Sequence, residues 1–224
     1  MTRRRAPGIL WTALLLATLP APSLAGTWNA GVRAGLNLAN LRGDLADDMR
    51  TRSTLGAHAG VFVEHAFSDR FALDFELLYS ARGAAFDAPI MDEFGKIIGL
   101  DTDRFRINYL EVPALATVSF PFSSAVRARV LAGPVFGVSL GGRFESNSDP
   151  ARSRDLDGVR AIDIGVAGGA GLGFEASTYA IIVDARYTAG LLDSFEFGSA
   201  AGAMHQVISM GLAVKWRFPS PQKG

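Results

Sequence analysis

The stretch Gly31–Leu41, "GVRAGLNLANL", decides the fold, and two readings compete for it. Closely spaced glycines suit a loop that cradles a phosphate. That reading needs the glycines to follow a strand and open a helix, with backbone N–H groups converging on the anion. Here they alternate instead. Trp28, Ala30, Val32, Ala34, Leu36 and Leu38 fall on one face of a period-2 pattern, and Asn29, Gly31, Arg33, Gly35 and Asn37 fall on the other. The stretch is a strand with glycines along one side.

The alternation returns along the chain. Leu55, Ala57, Ala59, Val61 and Val63 oppose His58, Gly60, Phe62 and Glu64; after a turn at Ser68-Asp69, Phe71, Leu73, Phe75, Leu77 and Tyr79 oppose Asp74, Glu76, Ser80 and Arg82. In the stretch 104–119, Phe105, Ile107 and Tyr109 share a face, whereas Val112, Ala114, Ala116 and Val118 run in the opposite phase. Such a slip predicts a bulge near Tyr109-Leu110. Further strands follow over 126–138, 162–175 and 179–191, and the last alternates Ile208, Met210, Leu212, Val214, Trp216 and Phe218 with Ser209, Gly211, Ala213, Lys215 and Arg217. The count is eight.

Connections alternate in length, with short turns near 67–70, 120–125 and 176–178 and long polar segments near 39–53, 83–103, 140–160 and 192–203. The pattern predicts an all-β fold: an eight-stranded antiparallel up-and-down transmembrane β-barrel, with short periplasmic turns and long extracellular loops. The first 25 residues read as a signal peptide: Arg3, Arg4 and Arg5, an apolar run over 9–19, and small residues at Ser23-Leu24-Ala25. The barrel is then expected over 26–218 and a short tail over 219–224.

The whole chain has 22 basic and 22 acidic residues, so losing the three N-terminal arginines leaves a net charge of −3. A general nucleic-acid binder would carry a basic excess, so nucleic acid is not an expected partner. The chain has no cysteine, which removes disulfides and thiolate metal sites from consideration.

Alternation alone does not say which face meets lipid. A soluble, secreted, lipocalin-like ligand-binding barrel would turn the apolar face inward. Four features favour the membrane. Glycines crowd onto the charged face, where a narrow barrel needs room for long side chains. Aromatics gather near strand ends, at Trp28, Phe71, Tyr79, Phe105, Tyr109, Phe120, Tyr179, Tyr187, Trp216 and Phe218, as interfacial girdles do. Strands of about ten residues, at ~3.3 Å each and tilted by ~45°, span the apolar band. The export signal and the loop asymmetry agree. The inward set then holds Arg33, Arg82, Arg106, Arg127, Arg129, Arg186, Lys215 and Arg217 against Glu64, Asp74, Glu76, Glu111, Asp163, Glu175 and Asp184. A barrel this small is filled by its side chains, so a plugged lumen of ion pairs is expected.

The blocks "GVRAGLNLANLRGD", "GAHAGVFVEHAFSDRFALDFELLYSARGA", "INYLEVPALATV", "VLAGPVFGV" and "VDARYTAGLLD" resemble the successive strands of the PorT-type family of outer-membrane β-barrel proteins. The resemblance implies a fold and an outer-membrane location. It implies no activity, and the secretion role of the founding member is not carried over. The last strand, with Ser209, Gly211, Val214 and Trp216, resembles the signal read by the barrel-assembly machinery.

Sharper motifs are each outweighed. Gly171-Leu172-Gly173-Phe174-Glu175-Ala176 fits a dinucleotide fingerprint, but a strand follows it where a helix is required. His58, His65 and His205 are candidate bases for a lipid-modifying enzyme; His205 and Ser209 share a face but stand ~13 Å apart along the strand, too far for a hydrogen bond. His65 is expected at the interface. Asp44, Asp47 and Asp48, with Asp87, Asp92, Glu93, Asp101 and Asp103, lack calcium-loop spacing and read as solvated loop tips. "EFGKIIGL" (Glu93–Leu100) is apolar enough to extend a strand above the membrane or pack on a neighbouring loop. The expectation is a non-enzymatic, monomeric outer-membrane barrel without cofactor, metal or catalytic residues. Its partners would be outer-membrane lipid, the assembly machinery and whatever protein or surface ligand its loops contact.

Overall fold

The computed structural model describes residues 26–43, 51–91, 93–147, 153–156, 158–194 and 203–218. The expected signal peptide, Asp44, Asp47, Asp48 and Asp92, and the 219–224 tail lie outside them. The strands are β1 (Thr27–Arg42), β2 (Arg52–Ala66), β3 (Phe71–Met91), β4 (Ile97–Pro121), β5 (Val126–Glu145), β6 (Arg154–Asp155), β7 (Ile162–Glu175), β8 (Tyr179–Asp193) and β9 (Met204–Arg217).

Neighbours pair antiparallel in the order β4-β3-β2-β1-β9-β8-β7-β5, and β4 pairs with β5 to close the ring; two-residue β6 is an appendage on β5. Eight long strands therefore form a closed barrel, which leaves no sheet edge for lipid to solvate. Two of the tight turns share one device. Ser68 Oγ accepts the N–H groups of Arg70 and Phe71 at 3.3 and 3.1 Å, and Ser123 Oγ accepts those of Ala125 and Val126 at the same distances.

The apolar face looks outward. Leu36, Val183 and Leu212 are 55%, 48% and 54% exposed, while Arg33, Glu76 and Asp184 on the other face are buried. A soluble barrel requires the opposite, so the outward band is the lipid-facing wall and the strands are transmembrane. Trp28, Phe71, Phe120, Phe174, Tyr179 and Trp216 ring its lower edge, each exposed.

Three expectations are corrected. No phase slip occurs in β4: from Asp101 to Thr117 the odd-numbered residues face inward throughout, so Ile107 and Tyr109 are buried and belong to no outer girdle. Phe105 likewise stacks on Phe86 and Phe144, with ring centroids 4.9 and 5.7 Å away. What inverts is the surroundings of the strand, not its phase. Below Leu110 the outside is lipid and the greasy side chains face out; above it the outside is water, so Asn108, Arg106 and Arg104 take that side and the apolar residues turn in. On β4 the inversion marks the change from an apolar to a polar outer wall.

Arg106, expected in the lumen, is consequently on the outer wall, half-exposed and paired with Glu145 at 3.3 Å. The extra residue sits on β5 opposite: Asn108 pairs with Gly141 but Tyr109 with Ser139, so Leu140 is bulged and Gly141 adopts φ 119°, a conformation that favours glycine. Finally, the segment 83–103 is mainly strand, and the start of 140–160 continues β5. β3 and β4 continue as a hairpin whose described turn residues are 93–96, with Gly95 at φ 75°, and β5 runs to Glu145. Glu93–Leu100 thus extends a strand above the membrane, one of the two roles open to it.

Candidate functional site

The lumen is built in tiers, because alternate residues of every strand must place their polar groups where no bulk water reaches and each needs a partner. In the lowest tier Glu64 accepts Lys215 Nζ at 2.7 Å, Arg129 at 2.9 Å and Asn29 Nδ2 at 2.9 Å. Asp74 accepts Arg129 at 3.1 Å and Thr117 Oγ1 at 2.7 Å. The middle tier is a square of two arginines and two carboxylates. Arg186 grips Glu76 through both terminal nitrogens at 2.8 and 2.9 Å, Arg33 holds Asp184 at 2.9 Å and by a second contact, and Arg33 Nε lies 3.6 Å from Glu76. Higher up, Arg82 bridges Glu111 at 2.7 Å and Asp163 at 2.9 Å, with its guanidinium 5.2 Å from the Tyr109 ring centroid.

Apolar groups complete the filling. Phe62, Ile182 and Ala213 pack together, as do Leu115, Leu131, Val135 and Ala167. At the outer mouth Leu41, Ala84, Ile107, Tyr109 and Ala203 form a third cluster, an apolar stopper onto which Leu156 and Val159 fold from the β5–β7 connection. Between the middle and upper tiers, the cavity lined by Arg33, His58, Arg82 and Arg186 measures about 30 Å³, room for about two waters.

The inward glycines make this density possible. A Cβ on Gly35 would stand 2.1 Å from the Met210 carbonyl oxygen and 2.5 Å from the His58 ring; one on Gly171 would stand 2.5 Å from Asp184 Cβ. Gly35→Val is expected to lower stability by ~1–3 kcal/mol through overpacking, read from the urea midpoint of the lipid-reconstituted chain; an unchanged midpoint would show that β9 yields without cost.

The candidate residues from the sequence are placed as follows. His205 is fully buried, with Nε2 3.0 Å from the Tyr109 hydroxyl and no hydrogen-bond partner at Nδ1, so Ser209 is not brought to it. His58 Nδ1 lies 2.9 Å from Asn37 Oδ1, and Asn37 Nδ2 reaches Ser80 Oγ at 3.0 Å. His65 stacks beside Trp28 at 4.4 Å and edge-on to Phe67 at 4.6 Å, at the lower interface. No described histidine holds a serine hydroxyl. Gly171 and Gly173 lie within β7 and lead through a tight turn into β8. Asp87 pairs with exposed Arg52, Asp101 and Asp103 face inward and are buried, and Glu93 is exposed at the hairpin tip. No group of three or more metal-type ligands converges among the described residues.

Two features had weaker sequence signals. Leu156 and Val159 are isolated aliphatics in a polar stretch, and that isolation was the only hint of the stopper. The hairpin tip carries Phe94, Ile97, Ile98 and Leu100, all well exposed to water above the bilayer.

The outer membrane protein beta-barrel domain family matches residues 18–196. Similar solved structures include Ail, the attachment invasion locus protein of Yersinia pestis (16% identity, TM-score 0.44, covering 86% of this chain and 99% of that one). Others are OprG from Pseudomonas aeruginosa (11%, 0.47, 87% and 98%) and the protease OmpT from Escherichia coli (10%, 0.43, 86% and 94%). None of the curated proteins matches the sequence. With the family matched over most of the chain, and with a closed ring whose outer wall is apolar, the chain belongs to the outer membrane protein beta-barrel domain family.

Proposed function

We propose that this barrel is a non-enzymatic, non-conducting scaffold that acts through its outer surface, in envelope integrity, adhesion or partner binding. The observation that carries the reading is the lumen: among the described residues, tiers of paired charges lie under an apolar stopper and no histidine holds a serine hydroxyl. Among the described residues the β3–β4 hairpin offers a presenting surface, with apolar side chains at its tip. Residues 1–25 would serve as the export signal and the barrel would begin at Gly26. On our reading its strand blocks resemble those of the PorT-type branch, and that branch's secretion role is not carried over. It would insert as a monomer by way of the barrel-assembly machinery, with a short tail over 219–224.

The test is electrical. Full-length protein reconstituted into planar bilayers is expected to give no steady unitary conductance. A reproducible open-channel step, abolished by heating the sample before reconstitution, would overturn the scaffold reading in favour of a pore.

A further inference from the structure

Charge on the outer wall is unevenly placed around the barrel. Val118 lies opposite Phe71 of the lower aromatic ring, and Arg106 stands twelve residues farther up β4. At ~3.3 Å per residue and a tilt of ~40° this is ~30 Å above that ring, just past an apolar band ~25 Å tall. The height falls at the headgroup level of the outer leaflet, and on β4 the outer wall changes from apolar to polar beside Leu110.

Four arginines meet there. Arg106 pairs in register with Arg143 of β5, and one step higher Arg104 aligns with Ala85, which aligns with Arg52 of β2. All four are exposed on the outside. Arg52 has Asp87 and Arg106 has Glu145, both in solvent-exposed pairs worth little. Arg104 and Arg143 have no partner among the described residues. Two shallow depressions flank Arg106, one of about 460 Å³ lined by Gly56, Ala81 and Ala85, the other of about 510 Å³ lined by Leu140 and Arg143 and also by the carboxylates Glu145 and Asp155, with Asp155 in register with Arg143 but not ion-paired to it. At the same height on the opposite wall, twelve residues above Phe174, Tyr179 and Trp216, stand Ile162, Leu191 and Met204. Arg42, in register with Met204, also faces outward at this height but donates to the Gly190 carbonyl oxygen at 2.9 Å, so among the described residues the exposed arginines at this height gather on the β2–β5 side.

We propose that the β2–β5 wall binds a phosphorylated lipid of the outer leaflet, with Arg104, Arg106 and Arg143 holding its headgroup phosphates and Leu55, Leu110 and Leu140 lining its first acyl carbons. Guanidinium forks match phosphate oxygens, and two unpaired arginines over an aliphatic belt form the complement of an amphiphilic anion. Nothing in the lumen takes part, so this site is independent of whether the barrel conducts.

The experiment titrates full-length protein in neutral detergent with bisphosphorylated lipid A, its dephosphorylated form, inorganic phosphate and a sulfated polysaccharide. Native mass spectrometry counts bound lipid. The chain is expected to bind the bisphosphorylated lipid at least tenfold more tightly than the dephosphorylated one and to bind free phosphate negligibly. Arg104→Gln with Arg143→Gln should remove most of that preference, and the corresponding pair of lysine substitutions should keep part of it. Both positions are exposed and unpaired, so the glutamine variant is expected to fold, and its heat-modifiable band on an unboiled gel verifies this. If that variant misfolds, the lysine pair and Arg106→Gln supply the comparison. Equal binding of the two lipids, retention of the preference in the glutamine variant, or arginine-dependent binding of the polysaccharide in place of lipid would each overturn the proposal.

Discussion

Replacing Glu76 by leucine is expected to destabilise the barrel by ~3–5 kcal/mol, the cost of breaking a buried ion network from one side. Glu76 accepts two charge-assisted bonds from Arg186 and faces Arg33 Nε, with its side chain only 2% exposed. Its loss leaves two guanidinium groups against the single carboxylate of Asp184, beside a cavity with room for only about two waters. Urea unfolding of the lipid-reconstituted protein, followed through the emission of Trp28 and Trp216, measures the loss. The paired variant Glu76→Leu with Arg186→Met separates charge from packing. It leaves Arg33 balanced by Asp184 and should recover most of the stability. A loss under ~1 kcal/mol in the single variant, or a double variant as unstable as the single, would show that the tier is not held as an ion network.

On the other face of the wall, Leu212→Arg is expected to cost ~2–4 kcal/mol and Leu191→Arg ~0–1 kcal/mol. Leu212 lies between Ala34 and Val183 in register, near the middle of the outward band. Leu191 lies twelve residues above Tyr179, where a long cationic side chain reaches the headgroups. Both leucines are about half exposed, so burial within the protein does not distinguish them; depth in lipid does. Equal costs measured by the same unfolding assay would deny that these positions sit at different depths.

Much of this was legible in the sequence because a strand has a period of two and a barrel wall has two contrasting solvents. The faces of β1, β2, β3 and β5 within the bilayer follow directly from alternation, and so do the inward positions of Arg33, Arg82, Arg129, Arg186 and Lys215. Misreadings cluster above Leu110, where one assumption failed: apolar was equated with outward along the whole strand. That equation holds only against lipid. Once β4 enters water the preference reverses, and Ile107 and Tyr109 turn inward while Arg106 turns out. A bulge was inferred where the solvent had changed, although a bulge does exist at Leu140 on the partner strand.

The hairpin extension was half-legible. "EFGKIIGL" was too greasy for a loop, but the pairing of Phe86, Phe105 and Phe144 joins residues nearly sixty positions apart, and no local pattern reports such contacts. The lumen's partners were out of reach for the same reason. A balance of charge could be counted, whereas Arg33 meeting Asp184, 151 residues away, follows only from ring closure and register.

The central claim, an outer-membrane barrel whose greasy face meets lipid, is tested most directly by fractionating cells that express the full chain and running the membrane fraction unboiled and boiled on an SDS gel. Recovery in the outer membrane, with a compact unboiled band that shifts on boiling, is the predicted result. A soluble periplasmic protein with no heat-dependent shift would contradict it and turn the wall inside out.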